Sequence, residues 1–93
     1  MVVGMAENKT VTNGEACLRE AYDAILHGDF ERAIQWFGQA IAWEPDNASY
    51  YYKASITCAR SGEMELAHSY ARRALELEPE DRTYALNVQT IEA

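Results

Sequence analysis

Two cysteines, Cys17 and Cys58, and two histidines, His27 and His68, are the side chains of this 93-residue chain best able to begin covalent or metal chemistry. A cysteine nucleophile needs a base beside it and an enclosed pocket around it. Both thiols instead fall at positions that read as packed, so they read as small buried hydrophobes. Two cysteines make neither a disulfide framework nor a metal pattern. His27 precedes a glycine where an imidazolium suits a helix C-terminus, and neither histidine reads as having a plausible metal partner three or four residues on. The carboxylates are scattered along helix faces. No glycine-rich phosphate loop exists, because Gly28 and Gly62 stand singly at helix ends. The chain is read as non-enzymatic, without metal or cofactor. A different chemistry suits its cations: Arg19 and Lys53 lie 34 residues apart, and Arg60 follows two helical turns later. Such groups beside Leu18, Tyr22, Tyr52 and Ile56 suit a peptide that carries apolar anchors and a carboxylate.

The elements that must position these side chains repeat with a period of 34 residues. Gly28 returns as Gly62, Ala33 as Ala67, Ala40 as Ala74 and Pro45 as Pro79. A unit of that length cannot bury its apolar face alone and must stack on a neighbour. Residues 1–11 lack sustained periodicity, and a flexible tail is expected over 1–13. Thr12 and Glu15 have capping-box spacing, starting a first helix that runs to about His27. Asp29 starts a second helix to about Glu44, which Pro45 stops. A third helix is expected at about 48–61, a fourth at about 64–78, and a fifth at 82–92 behind Asp81. Phe30, Ala33, Ile34, Phe37, Ala40 and Ile41 give the second helix one apolar stripe; Met64, Ala67, Ala71, Ala74 and Leu75 give the fourth its own. Trp43 is expected in the seam between repeats and Trp36 partly exposed. In the fifth helix Tyr84, Val88 and Ile91 should face the stack, with Arg82, Asn87, Gln89 and Glu92 in water.

This pattern resembles the tetratricopeptide repeat. The family's A-x3-F followed by proline is matched by Ala33, Phe37 and Pro45, and again by Ala67, Ala71 and Pro79, where Ala71 departs from the aromatic. The W-x2-L-G-x2-Y half is degenerate: Cys17, Glu20, Ala21 and Ala24 stand there in one repeat, and Tyr51, Ala54, Ser55 and Cys58 in the other. The resemblance implies an all-α, right-handed α-solenoid of two helix-turn-helix repeats, 14–47 and 48–81, with a capping helix at 82–93. It further implies that the first helix of each repeat lines a concave groove where ligands bind. The inward residues would then be Glu15, Leu18, Arg19, Tyr22, Ile25 and Leu26, then Ser49, Tyr52, Lys53, Ile56 and Arg60, then Thr83, Leu86, Asn87 and Thr90. Within this set the expected site is Leu18, Arg19, Tyr22, Tyr52, Lys53, Ile56, Arg60 and Asn87, with Asn87 bonding the peptide backbone. Pairing of Arg19 and Lys53 with acids such as Glu15 or Asp23 would instead make them structural. Family members that grip chaperone tails use a Lys and an Asn on the first helix, an Asn on the third, and a Lys and an Arg on the fifth. The matching positions here are Leu18, Tyr22, Lys53, Thr83 and Asn87, and the missing cations set that activity aside.

The charge balance narrows the partner. A formal net charge of −7 argues against nucleic acid and anionic membranes, which need a basic footprint. The start MVVGMAENK has no basic n-region and no long apolar core, so no signal peptide is expected. No apolar run approaches the roughly 20 residues of a membrane span. The expected setting is the cytoplasm, and the expected partner is a protein or peptide bearing acidic or C-terminal carboxylate groups. The alternative is a homodimerisation module, with Trp36 and an N-terminal end lacking polar cover as the contact.

Overall fold

The computed structural model describes residues 13–93, and every regular element among them is a helix: α1 Gly14–Leu26, α2 Phe30–Trp43, α3 Ala48–Arg60, α4 Met64–Leu77 and α5 Arg82–Glu92. Four of the five begin on a short polar side chain that accepts a bond from an otherwise unpaired amide. Asn13 accepts from Ala16 N at 2.8 Å, Asp29 from Arg32 N at 3.1 Å, Asn47 from Tyr50 N at 3.4 Å and Asp81 from Tyr84 N at 3.0 Å. The cap of α1 is thus Asn13, within the segment assigned to the tail. Thr12 and the remainder of that tail lie outside the described residues.

The two repeats turn on glycine in the same way. Gly28 has φ +75° and Gly62 φ +87°, a region that a Cβ disfavours. Gly28 N donates to Ile25 O and Asp29 N to Ala24 O, while Gly62 N donates to Ala59 O and Glu63 N to Cys58 O. These paired bonds are the Schellman closure, which satisfies the last carbonyls of α1 and α3. The symmetry then breaks by one methylene. Glu63 stands where the first repeat has Asp29, yet its side chain caps nothing. Glu63→Asp is expected to give Leu66 N a side-chain acceptor and to stabilise the fold by about 0.5–1 kcal/mol. That corresponds to a Tm rise of roughly 3–6 °C for a domain of this size, measured by circular dichroism. An unchanged Tm would show that α4 already satisfies its first amides.

The helices pair through alanine. Ala33, Ala40, Ala67 and Ala74 are buried, and with no side chain beyond Cβ they let neighbouring helices close on one another. Phe37 is fully buried among Ala21, Ala24, Ala33 and Ala54, so the first repeat meets the second across an aromatic ring set in small residues. Cys17, Ala40 and Tyr50 form a second cluster, and Leu18, Trp36 and Ile41 pack against both. All of Cys17, Ala21, Ala24, Tyr51, Ala54, Ser55 and Cys58 are buried, which explains how degenerate positions still serve the interior.

Three expectations need correction. Trp43 is 53% exposed, because the seam ends at Ala40 and position 43 lies in the last turn beyond it. Trp36, by contrast, is half-buried as expected, and the side it hides packs on both core clusters. Met64, in the first turn of α4, is exposed although assigned to the stripe. Asn87 does not face water: its Nδ2 donates to the buried Ser55 Oγ at 2.8 Å, and that hydroxyl donates to Tyr52 O at 2.7 Å.

The N-terminal end of the stack also differs from expectation. Ala54 and Thr57, which meet the first repeat, are buried. Their counterparts 34 positions earlier are Glu20 and Asp23. That end therefore carries its own polar cover.

Candidate functional site

Helices α1, α3 and α5 carry the side chains expected to meet a ligand. The Tyr52 ring on α3 packs against Tyr84 on α5, with centroids 5.0 Å apart. Between α1 and α3 lies a pocket of about 140 Å³. Tyr22 and Ile25 of α1 form one wall; Lys53, Ile56, Thr57 and Arg60 of α3 form the other, and Phe37 of α2 lies beneath. Tyr22 meets Phe37 edge-on at 6.4 Å, a favoured aromatic geometry that fixes the wall to the floor.

Of the eight residues expected at the site, the pocket brings together Tyr22, Lys53, Ile56 and Arg60. The other four stand apart from it. Leu18 packs on both core clusters, and Arg19 is exposed on α1. Tyr52 supports Tyr84, and Asn87 fastens α5 to Ser55. The pocket adds Ile25, Phe37 and Thr57 to the set. Phe37 was legible only as a core residue, since sequence cannot show that one edge of a buried ring faces a gap. The signal that was available is Ala54: a small residue against Phe37 leaves space beside it.

The polar groups divide between floor and mouth. Thr57 Oγ1 donates to Lys53 O at 3.0 Å, which occupies its proton. Lys53 Nζ donates to Ser49 Oγ at 2.8 Å. The guanidinium carbon of Arg60 lies 5.0 Å from the Phe30 ring centroid, within cation–π range. Among the described residues, none of Arg19, Lys53 and Arg60 forms an ion pair. Asp23, a candidate partner for them, instead approaches His27 Nδ1 at 3.8 Å. His27 Nδ1 donates to the Asp23 carbonyl at 2.8 Å, closing the end of α1.

The remaining titratable groups serve the fold. Glu92 Oε2 lies 2.6 Å from His68 Nε2 and 3.2 Å from Arg72, joining α5 to α4. The His68 hydrogen bond, with the Arg72 charge behind it, holds the Glu92 carboxyl below its ordinary range. Among the described residues no three metal-ligating side chains converge. Burial, with the Glu63 charge nearby, pushes the Cys58 thiol up to about 11. Burial also raises Cys17.

A thiol whose pKa rises on folding keeps a proton that the unfolded chain has released. Its contribution to stability is complete below the ordinary value of 9.0 and is lost as pH climbs towards about 11. The urea midpoint is expected to fall across that window more in the wild type than in Cys58→Ala. Equal falls would assign the loss to the tyrosines instead.

No helix among the described residues is long and apolar enough to cross a membrane. The sequence matches the tetratricopeptide repeat family over residues 25–47 and 48–81. It is 35% identical over 69 residues to serine/threonine-protein phosphatase 5 of Rattus norvegicus, and equally to that of Mus musculus. The likeness covers 74% of this chain and 14% of either relative. The shared stretch is thus a small segment of those proteins, and it carries no phosphatase activity across.

Proposed function

Since the chain belongs to the tetratricopeptide repeat family, whose helical solenoids mediate protein–protein interaction, we propose that it is an adaptor holding a peptide or protein segment. The segment lies in the concave groove, against the face made by α1, α3 and α5. One observation carries this reading: the pocket between α1 and α3 is apolar within, and among the described residues its rim cations form no ion pair. Apolar contact supplies affinity there, while the cations orient a carboxylate on an acidic side chain or a free C-terminus. The reduced, buried cysteines suit a cytoplasmic setting.

The test is charge reversal. A variant with Arg19→Glu, Lys53→Glu and Arg60→Glu is expected to lose capture of acidic peptides by at least about 100-fold, since each like charge facing the ligand costs binding energy. Its Tm should move by only a few degrees, because exposed cations contribute little to stability. Retained capture with a fallen Tm would make the cations structural and overturn the reading.

The exposed Trp43 favours a second reading, a homodimerisation module that covers this ring. Light scattering over a concentration series separates the two. A mass twice the chain's 10.5 kDa supports the dimer, and a constant monomer mass removes it.

A further inference from the structure

The pocket selects more narrowly than the charge of the face does. Its volume is about 140 Å³, and an apolar cavity of about 150 Å³ takes up one benzene-sized group. Pockets for whole drug-sized ligands begin at roughly 300 Å³, so this one receives a single side chain. Tyr22, Ile25 and Ile56 wall it, with Phe37 below. Two lining residues carry hydroxyls: Thr57 already donates to the Lys53 carbonyl, and Tyr22, which meets Phe37 with its ring, is partly exposed to water. The lining is mostly apolar, and a polar side chain entering would lose hydrogen bonds to water and regain few of them. The entering group is therefore apolar.

At the mouth the two cations differ. Lys53 is held by Ser49, and an ammonium is a point charge without directional preference. Arg60 lies on the Phe30 ring; among the described residues it forms no ion pair. A guanidinium resting on an aromatic face has already given up rotamer freedom while its N–H edge stays open. That edge matches the two oxygens of a carboxylate, a geometry an amide cannot return.

We propose that the occupant is a peptide segment in which an apolar side chain stands beside an acidic residue. The apolar side chain fills the pocket, Arg60 grips the carboxylate in two-point contact, and Phe30 is a positioning residue that pre-orients Arg60. The inference rests on the binding-face reading above and names its ligand. Arg19, outside the pocket, takes no part in this contact.

Four acetylated and amidated peptides of the form Gly-Ser-Gly-X-Z-Gly-Ser-Gly test it, with X-Z being Leu-Asp, Leu-Asn, Ala-Asp or Leu-Lys. Binding to the full chain is followed by NMR, on isoleucine methyls and backbone amides. The Leu-Asp peptide is expected to shift the Ile25 and Ile56 methyls. Leu-Asn and Ala-Asp should each bind about tenfold more weakly, the scale of one charge-assisted contact or one buried side chain. Arg60→Lys should erase the preference for Asp over Asn, Phe30→Leu should reduce it, and Arg19→Gln should leave it intact. If Leu-Asp and Leu-Asn bind equally at the same methyls, or Arg60→Lys keeps the preference, the acidic motif is overturned while the binding face stands. If none of the peptides shifts any signal of α1, α3 or α5, both the motif and the face are overturned.

Discussion

A Phe37→Ala variant is expected to lose about 3–5 kcal/mol of stability, the range for emptying a buried aromatic site. Phe37 has no exposed surface, and its neighbours are Ala21, Ala24, Ala33 and Ala54. None of these alanines has a side chain to swing into the void, and the partly buried Leu18 and Ile25 and the Tyr22 ring around them can fill only part of it, so a cavity remains. Small domains have only about 5–15 kcal/mol in total. The variant should therefore show a large fall in urea midpoint with an unchanged slope, or be partly unfolded in water. Phe37→Leu keeps most of the volume and should cost less than about 1.5 kcal/mol. A loss below 1.5 kcal/mol for Phe37→Ala would mean that the repeats slide together and close the gap.

The second large effect runs against the family pattern. Ala71 is the 34-residue counterpart of Phe37, and Ala71→Phe would restore the family aromatic. It is nonetheless expected to destabilise, by about 1–3 kcal/mol or more, as overpacking does. Ala71 is wholly buried, and so is the nearby seam. The repeat register explains why no room remains. Ala54 lies against Phe37, and 34 positions later stands Val88, also buried. Bulk has moved from the second helix of one repeat to the first helix of the next unit. Tyr51, packed on Tyr70 at 6.0 Å, adds further bulk where the first repeat has Cys17. Pairing Ala71→Phe with Val88→Ala should therefore recover at least part of the loss, a favourable coupling in a double-mutant cycle. Additive losses would show that the two positions do not share a volume.

Much of this architecture was legible because a repeat states each rule twice. The glycines at 28 and 62, the prolines at 45 and 79 and the alanine seam mark the same places in both units, and helix ends follow from local chemistry. What escaped depends on tertiary surroundings that periodicity averages away. Trp43 was placed in a seam that stops one turn earlier, and hydrophobicity alone cannot show where a contact ends. Asn87 was placed by the polar face of a helix, whereas a buried hydroxyl on another helix determines its direction. The pocket needed both halves of a contact: Arg60 was visible as a cation, but its seat on Phe30 joins residues 30 positions apart in sequence. Only four of the eight expected site residues meet at that pocket, since the 34-residue offset fixes neighbours across helices but not which gaps remain unfilled.

The carboxylates of Glu20 and Asp23 have a bearing on how the chain behaves when crowded. A stack of like units has two unlike ends, and contact between unlike ends that does not close into a ring propagates into fibres. Position 20 corresponds to Ala54, which sits against an aromatic ring. A carboxylate forced into such a place would lose its hydration with no partner to replace it, at a cost of several kcal/mol. Two acidic side chains on that face of α1 thus oppose the docking of another unit's aromatic surface against it.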